Sequence, residues 1–263
     1  MHYHSAHIID RAPSWCDDFL ADARHNRRPV RLNKHISESG VCSRREADAW
    51  IAAGRVTVNG VPGALGTQVK PGDAVRVDGR PLPARGKGVY IALHKPRGIT
   101  STTERGVAGN VVNFVGHRER IFPIGRLDKD SEGLILLTND GDIVNEVLRE
   151  EHGHEKEYLV TVEPDVTDSF LAMMGKGVRI GGEKTRPAKV TRVAANRFRI
   201  VLTQGRNRQI RRMCSALGWR VKRLVRVRIM HIRLGDLPAG RWRDLSEAEL
   251  KPLLAILAHG EKR

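Results

Sequence analysis

Between Gly125 and Gly133 the chain reads Gly-Arg-Leu-Asp-Lys-Asp-Ser-Glu-Gly, and one carboxylate, Asp128, follows directly on an Arg-Leu pair. An apolar run, residues 134–137, comes next. A carboxylate held in a loop where water is scarce can act as a nucleophile or a general base. Two plainer readings compete. Asp128 could be a turn residue beside Gly125, Lys129 and Asp130. The spacing Asp128-x-Asp130-x-Glu132-Gly133 also imitates the opening of a calcium loop. That loop needs a bidentate Glu at its twelfth position. Here that position is Asn139, preceded by residues that read as a strand, so no calcium site is expected. Cys16, Cys42 and Cys214 are too far apart for a C-x-x-C pair, and no metal is expected at all.

A second constellation is cationic. From Gln204 to Arg243 twelve Lys or Arg stand against one acid, Asp236, and eleven of the twelve are Arg. The whole chain of 263 residues carries a formal charge of +16. Arg forks bind phosphate bidentately and stack on bases, so this bias points to nucleic acid rather than to a generic basic surface. Within that stretch, Gln204-Gly-Arg-Asn-Arg-Gln-Ile-Arg-Arg-Met213 reads as a turn feeding a helix, with Ile210, Met213 and Leu217 as its buried stripe. The isolated cysteines suit a reducing, cytoplasmic compartment. No run is long enough to cross a bilayer, and the N-terminus lacks the features of a signal peptide.

The elements that must position these residues fall into two blocks. Residues 1–29 show no sustained periodicity and read as a flexible extension; His2, His4 and His7 fit a polar tail better than a metal site. Residues 30–79 form a compact module. Leu32, Ile36 and Val41 suggest a short helix ending at Gly40. Ser43 and Glu46 have the spacing of a capping box, and Ala47, Trp50 and Ile51 supply the apolar stripe of a second helix. Val56-Thr-Val58 is a strand, Asn59-Gly60 a hairpin turn, Pro71-Gly-Asp73 another turn, and residues 74–77 a further strand. Residues 80–88 are a Pro/Gly-rich basic linker.

The second block covers residues 89–259. Strands are expected at 90–96, 133–137, 158–162, 178–180, 188–193 and 198–202. Helices are expected at 142–149, 167–174, 208–217 and 247–259, the last opening on a capping box at Ser246 and Glu249. Strands and helices do not alternate strictly, so the expected class is α+β on a mainly antiparallel sheet.

The first block, in its order of helix, capped helix, Gly-Arg-Val-x-Val-Asn-Gly and Pro-Gly-Asp, resembles the S4 RNA-binding domain. That resemblance implies that Arg44 and Arg45, in the first turn of the capped helix, meet RNA phosphates. The string 125–141, with Lys156-Glu-Tyr158 and Gln209-Ile-Arg211, resembles the pseudouridine synthases of the small-ribosomal-subunit type across nearly all of 89–250. Members of that family break the glycosidic bond of a uridine, turn the uracil and rejoin it through carbon five, with no cofactor. The resemblance implies that Asp128 is the essential carboxylate, attacking the sugar C1′ or assisting formation of a glycal. It implies that Tyr158 lies against the target base and relays a proton. Arg211 would pair with Asp128, keeping it ionised and aimed. Leu224 would pack at the site, and Arg126 would enter the RNA helix where the uridine leaves it. Arg206, Arg208 and Arg212 would meet phosphates. Residues 36–48, 122–131 and 205–214 are similar to the members that modify the large subunit. They imply a stem-loop of 23S ribosomal RNA near the peptidyl-transferase region as substrate, with the anticodon loop of a tyrosine tRNA as a second target, and a monomeric enzyme. The competing class is a non-catalytic RNA-binding or ribosome-assembly protein. Retention of Asp128, Tyr158 and Arg211 together argues against it.

Overall fold

The computed structural model describes residues 29–84, 86–104, 106–149 and 153–260, so the reading of the N-terminal extension lies, but for Pro29, outside the described residues. The chain divides into two compact units. One takes residues 29–89 with 117–121 and 138–141; the other takes 90–116, 122–137 and the chain from 142 on.

The first unit opens with β1 (Val30–Arg31), α1 (Leu32–Glu38) and α2 (Arg44–Ala52). Small strands follow: β2 (Val56–Val58), β3 (Val61–Pro62), β4 (Gln68–Val69), β5 (Val75–Val77) and β6 (Arg80–Pro81). α2 begins where the Ser-x-x-Glu spacing says it should. The Ser43 hydroxyl accepts from the Glu46 N–H at 3.2 Å, and the Glu46 carboxylate accepts from the Ser43 N–H at 2.7 Å. The helix's apolar face, Ala47 and Ile51, closes on Leu32, Ile36, Val56, Val69 and Val75. Removing the cap in Ser43→Ala leaves the Glu46 N–H unpaired and should cost about 1 kcal/mol. A guanidinium melt of the S4-like unit's Trp50 signal would show it; an unchanged midpoint would mean the cap is dispensable.

The strands order β3-β2-β5-β6, all antiparallel. Arg80 and Pro81, assigned from sequence to the linker, pair with Val77 and Arg76. The reason is the Asp78-Gly79 turn, both residues at positive φ, which folds the chain back as a two-residue hairpin.

The second unit holds β7 (Tyr90–Lys95), α3 (Val111–Val115), β8 (Phe122–Ile124), β9 (Glu132–Thr138), α4 (Gly141–Leu148) and β10 (Lys156–Glu163). Then come α5 (Asp168–Lys176), β11 (Arg179–Ile180), β12 (Glu183–Lys184), β13 (Lys189–Ala194), β14 (Arg197–Leu202) and α6 (Gln209–Ala216). It closes with β15 (Arg220–Ile229), β16 (Ile232–Arg233), β17 (Trp242–Asp244) and α7 (Glu247–Gly260). The sheet order is β13-β14-β10-β15-β9-β7-β17, with β16 on β15 and β8 on β9. β10 is antiparallel to both neighbours, while β15 and β9 run parallel over only two pairs, Val225 with Glu132 and Arg226 with Gly133. This is the expected α+β arrangement on a mainly antiparallel sheet. Behind β10, β14 and β15, Phe170 of α5 meets Phe198 edge-on at 5.4 Å and Trp219 at 4.4 Å, and Ile210, Met213 and Cys214 of α6 join the same core.

β15 is ten residues long, and the basic stretch hid it. Its Arg and Lys side chains read as part of a nucleic-acid-binding stretch, yet Leu224, Val225 and Arg226 are buried in the middle of the sheet.

Candidate active site

The loop from β8 to β9 carries Asp128. Gly125 opens it at φ +80°, a backbone conformation that favours glycine, while a Cβ there would meet only the movable Leu148 methyl at 2.9 Å. Leu127 turns into the core. Every main-chain carbonyl from 126 to 130 is held. Arg126 O accepts from Arg226 Nη1 at 3.3 Å, and Leu127 O from Ser101 Oγ at 2.7 Å. Asp128 O accepts from Ser131 N at 3.0 Å, and Lys129 O from Gly98 N at 2.8 Å. Asp130 O accepts from Arg211 Nη2 at 3.0 Å. Five hydrogen bonds thereby restrain a segment that has no regular secondary structure. Its fixed backbone is the preorganisation that a positioned catalytic group requires. The Asp128 side chain is half-buried and makes no hydrogen bond among the described residues.

Three cations, Lys95, Arg208 and Arg211, act electrostatically on that carboxylate. Arg208, at the N-cap of α6 with φ +49°, grips Asp130 with two bonds of 2.9 and 3.0 Å. Those bonds hold the Asp130 carboxyl below the usual range, helped by the Arg211 charge. Arg211, expected to pair with Asp128, makes no ion pair with it among the described residues. Its ion-pair partner is Asp130, with Nε at 3.5 Å, and its Nη2 also reaches Ser131 Oγ at 3.3 Å. α6 meets the loop at Asp130 and Ser131, two and three residues past Asp128. Burial lowers the Arg211 pKa, opposed by the charge of Asp130.

The other residues singled out from sequence are dispersed. Tyr158 is half-buried on β10, opposite Ile200 on one side and Arg226 on the other. Since Arg226 in turn faces Gly133, strand register leads from Tyr158 to the first residues after the Asp128 loop. Leu224 is buried opposite Val160 in the core. The Arg126 side chain is exposed and has no partner among the described residues. Arg206 pairs with Glu183 at 2.7 Å and Arg212 lies against Gly181, so both sit over the β11–β12 hairpin rather than the loop. Arg208, expected to meet phosphate, is committed to Asp130. On the first unit, Arg44 and Arg45 are exposed at the start of α2, and Arg44 Nη2 approaches Asn33 Oδ1 at 3.5 Å.

Two site residues escaped sequence reasoning. Lys95, at the end of β7, is completely buried, with Nζ donating to Pro96 O and Ile99 O at 2.8 Å each. Arg226 is 3 % exposed; its Nε donates to Leu134 O at 2.7 Å. Burial, reinforced by the Arg226 charge, brings the Lys95 amine down to about 8. The Lys95 Cε resonance should therefore titrate near pH 8, well below the bulk lysines; titration with the bulk would contradict this charge arrangement. Lys95 leaves one signal in the sequence, a lysine ending an apolar strand just before Pro96.

Beside the loop lies a cavity of about 600 Å³ lined by Arg97, Lys129, Arg211 and Lys222 with Asp130 as its acid. Four cations to one carboxylate suit an anionic ligand.

Residues 89–216 match the RNA pseudouridylate synthase family, and residues 30–75 match the S4 domain. The dual-specificity RNA pseudouridine synthase RluF of Escherichia coli strain K12 is 55% identical over 230 residues, covering 87% of this chain and 79% of the relative. The ribosomal large subunit pseudouridine synthase B of Bacillus subtilis is 37% identical over 240 residues, covering 88% of this chain and 98% of that one. A crystal structure of a pseudouridylate synthase superposes with a TM-score of 0.64 at 30% identity, covering 85% of this chain and 99% of that one. The chain belongs to the RNA pseudouridylate synthases that carry an S4 domain, and it is an RNA pseudouridine synthase.

Proposed function

We propose that Asp128 is the catalytic carboxylate and that the substrate is a uridine in a 23S ribosomal RNA stem-loop, with the anticodon loop of a tyrosine tRNA as a second target. The observation that carries this reading is the loop itself: five consecutive carbonyls tied down around one carboxylate whose side chain makes no hydrogen bond among the described residues. A group spent on structure would be hydrogen-bonded; a group kept for a substrate is held by its backbone instead. The dual-specificity name of the Escherichia coli relative supports two RNA classes.

In this reading the uridine leaves its stack and Arg126, exposed just before the loop, takes its place, offsetting an unstacking cost of roughly a few kcal/mol. Asp128 then serves cleavage of the glycosidic bond, by attack on C1′ or by assisting glycal formation. The freed uracil turns against Tyr158 and joins C1′ through carbon five as the bond to Asp128 breaks or the glycal is consumed; the Tyr158 hydroxyl relays the proton lost from carbon five, and N1 gains one. Arg211 acts on Asp128 through the charge and position of the Asp130–Ser131 turn. The cationic cavity takes backbone phosphates, and the S4 domain docks the stem through Arg44 and Arg45.

Incubating unmodified ribosomal RNA and tRNA with the protein, then mapping pseudouridine by carbodiimide adducts, tests the substrate. Adducts in one 23S stem-loop and in tyrosine tRNA are expected; adducts confined to other RNAs would refute the assignment. In Arg44→Ala/Arg45→Ala, affinity should drop for every RNA tested, and the slope of log affinity against log salt should shrink by roughly 1 to 2. An unchanged slope would remove these arginines from the RNA interface.

A further inference from the structure

We propose that Arg226 is a positioning residue for the isomerisation, stapling together the two ends of the segment that carries Asp128. The proposal rests on the reading of Asp128 as the catalytic carboxylate. One guanidinium bonds the carbonyl of Arg126, two residues before Asp128, and the carbonyl of Leu134, six residues after it. These bonds come from different arms, Nη1 and Nε, so the planar fork spans the loop from below. β9 and β15 pair for only two residues and then part, which leaves Leu134 O without a ladder partner from β15. The Arg226 side chain fills that opening. Its own backbone lies between Tyr158 of β10 and Gly133 of β9, so one residue relates the tyrosine strand to both ends of the Asp128 loop.

Packing alone does not account for an arginine here. Arg226 is 3 % exposed and has no carboxylate partner among the described residues; its two bonds go to carbonyls. Its third arm, Nη2, is buried with no hydrogen-bond partner among the described residues. A second buried cation, Lys95, lies close enough for each to repel the other. Buried charge and an orphaned donor are both unfavourable, and an apolar side chain would fill the volume without either. The feature an apolar residue lacks is the span between Arg126 O and Leu134 O. A lysine can donate to two carbonyls, as Lys95 does, but its ammonium is a point donor and does not fix their separation as the rigid fork does.

The test compares wild type, Asp128→Asn, Arg226→Lys and Arg226→Met in single-turnover reactions at saturating substrate RNA, with RNA Kd and thermal midpoint measured on the same samples. Arg226→Lys keeps the charge but loses the planar fork, so its single ammonium cannot hold the two carbonyls at the separation that Nε and Nη1 set. Its rate should fall at least about 30-fold, a loss of the size expected when a reacting group is misplaced by a fraction of an ångström. Its RNA Kd should stay within about twofold, because binding does not use the staple. Arg226→Met, with neither fork nor charge, should be slower than the lysine variant. A wild-type rate in Arg226→Lys, or a loss found wholly in Kd, would overturn the proposal while leaving Asp128 untouched. Full activity in Asp128→Asn would instead sink the Asp128 assignment, and the positioning role with it.

Discussion

Asp128→Asn should abolish pseudouridine formation while leaving RNA affinity and the fold in place. The expected loss is on the order of 10⁴-fold or more, the scale seen when a group that enters the covalent step is removed. Asn has the shape of Asp but cannot add to C1′ or accept the proton. The substitution also leaves the loop undisturbed, because the bonds that shape residues 126–130 use main-chain carbonyls, not the Asp128 side chain. Single-turnover rates, RNA Kd and a thermal melt measured together separate the outcomes. A dead enzyme with wild-type Kd and midpoint fits the account. A variant that loses Kd or midpoint in proportion to rate would make Asp128 a structural or binding residue.

The second large effect concerns stability at the same place. Gly133 has φ +108°, and a Cβ on it would sit 2.6 Å from Arg226 N and nearer still to the Arg226 carbonyl oxygen. Both contacts are backbone, so no rotamer change can relieve them. Gly133→Ala must part β9 from β15 at one of their two paired positions. Strain and overpacking together should cost about 3–5 kcal/mol. In a unit of this size that lowers the thermal midpoint by roughly 10 °C. Activity should fall as well at temperatures where the protein is still folded, since the displaced strand carries the exit of the Asp128 loop. Gly182→Ala is the control: no atom lies within 4 Å of its Cβ, although its φ of +87° carries the same kind of backbone cost. Equal melts for the two variants would show that φ, not the strand contact, sets the cost at Gly133.

Much of this was legible in the chain, for reasons particular residues make clear. Ser43 and Glu46 announced α2 because a capping box is local chemistry, and it forms as spaced. The strand at Tyr90 was readable as an apolar run stopped by Pro96, buried on both faces, and the helix stripe of Ile210 and Met213 because it buries one face at a fixed period. β15 was not readable. Its alternation is carried by arginines, and a buried arginine looks the same in sequence as a solvated one. Arg226 shows the difficulty: it lies within the basic stretch that marks the chain as RNA-binding, yet it is enclosed by the β9 backbone. The partner of Arg211 was out of reach for a different reason. Asp128 and Asp130 differ by two positions, and only the approach of α6 decides which carboxylate it meets. Local pattern fixes element type, whereas the partner of a long side chain depends on which elements the sheet order brings together.

The most direct test of the central claim follows the bond that isomerisation makes. Joining the sugar to carbon five expels the hydrogen held there, so substrate RNA tritiated at uracil C5 releases tritium to water once per event. Wild-type protein should release about one equivalent per target uridine, and Asp128→Asn none above background. Equal release by both proteins would contradict the assignment of the chemistry to the Asp128 loop.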